Sequence, residues 1–225
     1  MSVKVYTDYF TEELVQRSHA VYAAKMSAYM KDKFVFYGVQ APARKDLVAR
    51  LWKTEKSQIK ALIRPLSKTL WKKGQREYQM IALDLLGRSK TELAKDDLPF
   101  LEQLITTKSW WDTVDFLAAT NVGTVLKRDK VLAQTKARTY MASDNMWLQR
   151  TALIFQLKYK DTIDEELLFE LILKTLGSRE FFINKASGWA LRQYSKYNPE
   201  SVRDFIDNNR GQLAPLTVRE GTKYL

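Results

Sequence analysis

An indole and a carboxylate lie one helical turn apart in the segment SWWDTVDFLA, residues 109–118. Trp111 and Asp115 are four positions apart, so on an α-helix they share a face. An aromatic face beside a carboxylate could meet a substrate there. A solvated aspartate next to a half-buried tryptophan fits the same spacing. From this helix alone both interpretations are open.

Other residues of this segment have structural explanations. Ser109 and Asp112 have the spacing of a capping box, in which each side chain accepts a hydrogen bond from the other residue's backbone amide. Trp110 lies on an apolar stripe with Val114 and Leu117. We therefore predict that Asp112 caps the helix and that Trp110 belongs to the core.

The elements that position these residues repeat along the chain. A period of 35 residues brings Met80, Asp115, Arg150 and Lys185 into register. Helix-pair repeats of this length stack into an α-solenoid. The offsets typical of tetratricopeptide repeats are missing, so HEAT-like pairs fit better. Residues at the matched register should project from successive parallel helices onto one open, concave side.

Apolar residues recur three and four positions apart throughout the chain, and strand-like alternation is hard to find. The chain has eight glycines and five prolines and no low-complexity linker. We therefore predict an all-α fold, an α-solenoid of HEAT-like helical repeats with a curved, concave basic surface, in a single domain over residues 1–225. Helix-start signals are carried by Pro42, Ser143, Asp164 and the pair Asn198 and Pro199.

Charge and composition limit the partners. A formal net charge of +11 favours a polyanion, because each Lys or Arg at a phosphate also releases condensed counterions. The chain has no cysteine and one histidine, His19, which excludes the usual zinc sites and disulfides. No acidic cluster completes a two-metal site around Asp112 and Asp115. We expect no metal and no cofactor, and no catalytic role for His19.

The chain has neither a long apolar run nor the apolar core of a secretory signal at its start. We therefore expect no membrane contact and a cytoplasmic protein.

Two further aromatic residues are open to two interpretations each. Trp189 follows Ser187 and Gly188, and small residues beside an indole admit either close packing or a ligand. The pattern around Tyr29 favours a core position, since large aromatics are usually packing residues.

Four strings carry a family resemblance: SAYMKDKFVFYGVQAPARK, TTKSWWDTVDFLA, ASDNMWLQRTALIFQLKYK and FFINKASGWALRQYSK. They resemble the AlkD-type DNA alkylation repair glycosylases, with the motifs in order from about Tyr29 to Arg219. The resemblance implies a curved HEAT-like protein that removes N3- and N7-alkylated purines, such as 3-methyladenine and 7-methylguanine, from duplex DNA. It also implies that the lesion is not buried in a deep pocket, unlike the usual case in glycosylases.

The resemblance also assigns roles to individual residues. The family's catalytic aspartate and its flanking tryptophan fall on Asp115 and Trp111, and its other aromatic falls on Trp189. Its arginine in the LQR element falls on Arg150, and its tyrosine in the YMK element falls on Tyr29. Minor departures are a Phe-Tyr-Gly at 36–38 and a chain that continues for few residues after Arg219.

This reaction suits a site with little histidine. An alkylated purine is already cationic, so it leaves as a neutral base without a general acid. Asp115 would stabilise the oxocarbenium-like sugar and position water, between the faces of Trp111 and Trp189. Arg150 should hold a phosphate through its planar donor fork, and Lys185 is a candidate for a further phosphate contact.

The expected partner is therefore alkylated double-stranded DNA, bound by a monomer. The alternative function is a non-catalytic HEAT-like solenoid that binds nucleic acid or an acidic protein with the same basic surface.

Overall fold

The structure is a computed structural model that describes residues 2–225, and all regular secondary structure in that range is helical. The prediction of an all-α fold is confirmed. Contacts between residues group the chain into two compact units, of which the first ends at Glu92 and the second is Leu93–Leu225. The prediction of one continuous domain stays a prediction.

The first unit contains the helices α1 (Val3–Gln16), α2 (Ala20–Tyr29), α3 (Ala41–Ala61), α4 (Ile63–Lys72) and α5 (Arg76–Arg88). Helices α1, α3, α4 and α5 each bury apolar side chains, whereas α2 buries none. Pro42 lies in the first turn of α3, as predicted.

A tight loop precedes α3 in this unit. The buried carboxylate of Glu77 accepts hydrogen bonds from three consecutive backbone amides, residues 37–39. Gly38 has φ +91°, and a Cβ there would lie 2.2 Å from the carbonyl oxygen of His19. The loop therefore needs a glycine both for its backbone conformation and for its close approach. His19 itself is the exposed N-cap residue of α2.

The second unit is a row of helix pairs. Its elements are α6 (Leu98–Thr106), α7 (Trp111–Phe116) with a π-helical turn (Leu117–Val122) and α8 (Gly123–Leu126), α9 (Lys130–Met141), α10 (Met146–Ile154), α11 (Glu165–Leu173), α12 (Phe181–Tyr194), α13 (Pro199–Asn209) and α14 (Pro215–Gly221). We call α6, α9, α11 and α13 the first-helix row, and α7, α10, α12 and α14 the second-helix row. In the second-helix row α10 packs against α7 and α12, and α12 packs against α14; in the first-helix row α9 packs against α11.

Side chains bridge neighbouring pairs at the spacing of the sequence period. Arg150 reaches Asp115 across 35 residues in the second-helix row, and Lys136 reaches Glu102 across 34 in the first-helix row. The predicted solenoid of helical repeats is thereby confirmed for the second unit. Asp115, Arg150 and Lys185 all lie in the second-helix row, on α7, α10 and α12.

The helix starts were mostly predicted from single residues. The side chains of Asn198 and Asp164 cap α13 and α11 as expected, accepting from backbone amides three positions later at 3.3 Å. The prediction for Ser143 was wrong. The Oδ1 of Asn145, directly before α10, accepts the amide hydrogen bonds instead, and the Ser143 hydroxyl donates back to the carbonyl oxygen of Tyr140 at 2.8 Å.

Candidate active site

A carboxylate and a guanidinium pair inside the second-helix row. Nε of Arg150 donates to Oδ1 of Asp115 at 2.6 Å, and Nη2 donates to Oδ2 at 2.7 Å. This parallel two-bond geometry is the strongest form of an arginine–carboxylate contact and fixes the plane of the carboxylate. The side chain of Arg150 is 4% exposed and that of Asp115 is 17% exposed. The side chain of Asp115 therefore still reaches solvent, while that of Arg150 is almost fully buried.

An aromatic cluster supports Arg150. Its Nη1 donates to the backbone carbonyl of Phe182, and its guanidinium carbon lies 5.8 Å from the centre of that ring. The ring of Phe182 also packs against Trp110 and Trp147, with centroid distances of 5.1 and 5.0 Å. Trp110 is half-buried in this cluster, whereas its stripe partners Val114 and Leu117 are fully buried.

Burial raises the pKa of Asp115 above its ordinary value of 3.8. The hydrogen bonds and charge of Arg150 oppose this shift, and the nearby charge of Asp112 adds to it. The removal of solvent is the largest of these effects, because a carboxylate out of water loses hydration that one partner only partly replaces. Asp115 is therefore protonated at a higher pH than an exposed aspartate.

The start of α7 differs from the predicted capping box. The helix begins at Trp111, after Trp110 as the N-cap residue. The hydroxyl of Ser109 donates to the carbonyl oxygen of Ile105 at 2.6 Å, in the last turn of α6. The prediction that Ser109 caps α7 was wrong, because unsatisfied carbonyl groups at the end of one helix competed for its hydroxyl. Asp112 still lies in the first turn of α7, where a negative charge is favourable.

The two candidate tryptophans are both half-buried. Trp111 is the first residue of α7, one turn before Asp115, and Trp189 lies on α12. Helix α10, which carries Arg150, packs against both helices. Tyr29 ends α2 in the first unit and is 69% exposed, so the prediction of a core position for it was wrong. The site roles of these residues stay predictions.

Close packing explains the small residues before Trp189. A Cβ on Gly188 would lie 2.5 Å from the Cβ of Glu220 and 2.8 Å from the carbonyl oxygen of Thr217. Ser187 is fully buried. Helix α14 therefore lies directly on the glycine surface of α12, and its side chains occupy the space that a ligand would need.

Lys185 belongs to a cluster of charges around one buried carboxylate. Its Nζ lies 2.8 Å from Oε1 of Glu220, as does the Nζ of Lys223. Nη1 of Arg192 donates to Oε2 of Glu220 at 2.9 Å. The Glu220 side chain is only 3% exposed, and its hydrogen bonds to Lys185 and Lys223 lower its pKa to about 2. We refer to these four residues as the Glu220 cluster.

The comparisons with known proteins agree with this fold. The sequence model of the DNA alkylation repair enzyme family matches residues 10–225, nearly the whole chain. The chain belongs to this family. No curated protein matches it.

Solved structures extend the comparison. A protein described as a predicted DNA alkylation repair enzyme from Enterococcus faecalis is 35% identical, with a TM-score of 0.85 over 92% of this chain and 96% of that one. AlkD2 from Streptococcus mutans and smu.31 from Streptococcus mutans UA159 are each 18% identical, with TM-scores of 0.59 and 0.58 over 81% of this chain and 99% of theirs. The latter two show a shared fold.

Glu220 and Phe182 were not identified from the sequence as residues that support the site. The repeat period is the signal that could have found them, because Glu220 lies one period of 35 residues after Lys185, and Phe182 lies one period after Trp147. The resemblance implies that Arg150 holds a phosphate, but the observed partners of its side chain are Asp115 and the backbone carbonyl of Phe182. The Nε, Nη1 and Nη2 atoms of Arg150 all donate to groups within the protein, and its contact with a phosphate stays a prediction.

Among residues 2–225 no group of three or more His, Asp or Glu side chains is placed to hold a metal ion. Nor is any helix there both long and apolar enough to cross a membrane.

Proposed function

We propose that this family member is a DNA glycosylase that hydrolyses the N-glycosidic bond of cationic N3- and N7-alkylpurines, such as 3-methyladenine and 7-methylguanine, in duplex DNA. The observation that carries the proposal is the carboxylate of Asp115, which is partly exposed and fixed in orientation by the buried Arg150. The formal charge of +11 supports a polyanionic substrate.

The substrate supplies part of the driving force. Alkylation places a positive charge on the purine, so the electron pair of the breaking C1′–N bond neutralises the leaving base. No general acid is then needed. The sugar becomes oxocarbenium-like, water adds to C1′, and the water loses a proton to give the abasic sugar. The products are a neutral alkylpurine, an abasic site and one released proton.

In this reaction Asp115 stabilises the positive charge that develops on the sugar and orients the attacking water. Each carboxylate oxygen accepts one hydrogen bond from Arg150 and has a second lone pair to offer. A fixed charge in a poorly solvated place stabilises a transition state more than a mobile one, because it needs no reorganisation. Arg150 is thus a positioning residue for Asp115.

The remaining candidates contact the DNA around this centre. The indole faces of Trp111 and Trp189 flank the lesion, where the ring quadrupole favours a cationic sugar by about 0.5–2 kcal/mol per contact. Tyr29, on α2 of the first unit, also contacts DNA. Lys185 contacts a phosphate. A single copy of the chain binds the duplex.

The decisive experiment uses duplex DNA that contains 7-methylguanine and measures the free base by chromatography. We expect release by the wild-type protein and a loss of about 10²–10³-fold in the single-turnover rate for Asp115→Asn, as for the removal of one preorganised electrostatic group. Binding of the methylated duplex should be retained. The control is Glu170→Gln on α11, which removes a carboxylate of the other row.

Two outcomes contradict the proposal. Full activity of Asp115→Asn removes this residue from its role. Binding of the duplex without any release of base by the wild-type protein favours the non-catalytic solenoid instead.

A further inference from the structure

The Glu220 cluster places three cations around one buried carboxylate. Lys185 and Arg192 come from α12, and Lys223 follows α14. Within residues 2–225, Glu220 is the carboxylate that lies within ion-pair distance of all three. The cluster carries a net charge of +2, and its only negative group is the buried one.

Each cation retains donors for a partner outside the protein. An ammonium has three N–H groups and a guanidinium has five, and one contact from each cation is made to Glu220. The exposed fractions of the three side chains are 36% for Lys185, 23% for Arg192 and 44% for Lys223. Each side chain is therefore tied to Glu220 and still reaches solvent.

The cluster adjoins a residue of the proposed active site. Lys185, Trp189 and Arg192 occupy positions i, i+4 and i+7 of α12, which is one stripe of a helix. Trp189 therefore lies one turn from a cation on either side. Gly188 makes this arrangement possible, since any Cβ there would displace the Cβ of Glu220.

We propose that Glu220 is a positioning residue for a phosphate-binding array, formed by the three cations around it, that holds the DNA backbone beside Trp189. The identity of the polyanion as DNA rests on the proposed function. Lysine and arginine side chains normally lose much rotamer freedom when they bind a phosphate. Cations already held in place lose less of it, which strengthens binding.

A positioning role for Glu220 predicts the opposite change in DNA affinity from the one that net charge alone predicts. Glu220→Gln raises the net charge by one and removes a group that repels phosphate. If affinity depended on net charge alone, this substitution would therefore tighten DNA binding. If Glu220 organises the array, the same change releases the three cations, and binding weakens.

The test is the affinity of the full chain for an unmodified duplex, measured by fluorescence anisotropy over a range of salt concentrations. For Glu220→Gln we expect Kd to rise on the order of tenfold at moderate salt, and the slope of log K against log salt to become shallower by about 0.9 for each phosphate that the variant no longer neutralises. A folded variant that binds as tightly as the wild type, or with an unchanged slope, overturns the proposal.

Single substitutions keep the test decisive if Glu220→Gln does not fold. Lys185→Gln, Arg192→Gln and Lys223→Gln should each reduce the slope by about 0.9. The matched control is Lys136→Gln on α9, a lysine paired with Glu102 at 2.8 Å in the first-helix row. It should leave the slope unchanged. Slopes unaffected by all three substitutions overturn the array.

This measurement is independent of catalysis. If the wild-type protein releases no base but the three substitutions reduce the slope, the proposed reaction fails and the array stands. If base is released and the slopes do not change, the array fails and the reaction stands.

Discussion

Two arginine–carboxylate pairs bridge neighbouring repeats with nearly the same geometry, one in each row of helices. Arg150 contacts Asp115 in the second-helix row through bonds of 2.6 and 2.7 Å. Arg138 contacts Glu170 in the first-helix row through bonds of 2.9 and 2.7 Å from its Nε and Nη2. The side chains of the first pair are 4% and 17% exposed, and those of the second are 51% and 36% exposed.

The difference shows that surroundings, not geometry, decide what an ion pair does. An exposed pair gains little, since water and salt screen its attraction and ordering two long side chains opposes it. A buried pair makes each partner dependent on the other, because either charge alone would lie in a poor solvent. Arg150 and Asp115 are thus held in defined places, whereas Arg138 and Glu170 remain in water.

The largest expected effect is on stability. Arg150→Ala leaves the Asp115 carboxylate without its partner and should lower the free energy of unfolding by about 3–5 kcal/mol. Arg138→Ala, the equivalent change in the first-helix row, should leave the denaturation midpoint unchanged within error. The measurement is the free energy of unfolding from urea titrations. Equal losses for the two substitutions would show that burial does not make the Arg150 pair more important for stability than the Arg138 pair.

The next effect is on the pH dependence of excision. Asp115 must be ionised to stabilise the sugar, and burial raises its pKa above 3.8. The rate should therefore fall as the pH decreases through a value above 3.8, by about tenfold per pH unit below that pKa. Asp112→Asn should move this acid limb of the pH–rate profile to lower pH, because the charge of Asp112 raises the pKa of Asp115. A limb at or below 3.8 in single-turnover assays would contradict the assignment.

A smaller effect is the opposite pH dependence of stability that we expect from two carboxylates of the second-helix row, Glu220 and Asp115. The pKa of Glu220 is lowered from 4.5 to about 2, so its contribution to stability is present above 4.5 and is lost as the pH falls through about 2. The pKa of Asp115 is raised, so its contribution is present below 3.8 and is lost as the pH rises through the raised value. The stability difference between wild type and Glu220→Gln should shrink towards pH 2, and that for Asp115→Asn should change in the opposite direction.

The smallest effect is the response to salt. At 1 M salt the screening length is about 3 Å, and exposed charges are screened far more than buried ones. In double-mutant cycles we expect salt to remove the coupling of Arg138 with Glu170 and to leave that of Arg150 with Asp115. Equal salt dependence of the two couplings would mean that water reaches both pairs alike.

The helices and their period were predictable from the sequence because they follow from burial. Each pair must cover its apolar face with the next, so the apolar spacing and the length of the repeat appear directly in the chain. The same period places Asp115 and Arg150 in register. Neighbouring helices of the second-helix row bring that register into contact.

Details that depend on competing partners were not predictable in this way. Ser109 and Ser143 both have residues around them typical of a cap, yet each hydroxyl donates to a carbonyl of the preceding helix. Tyr29 has a helical pattern around it, but α2 buries none of its side chains. Glu220 has no local motif, because the three cations that define its role come from two separate segments of the chain.

The bridging contacts of the second unit span one repeat, as the 35 residues between Asp115 and Arg150 illustrate. Structures held by nearest-neighbour contacts can open one helix pair at a time. Opening of α13 and α14 would free Lys185 and Arg192 from Glu220 while Asp115 stayed paired with Arg150. Amide exchange in α13 and α14 should therefore report how often the molecule loosens its hold on a polyanion without disturbing its reaction centre.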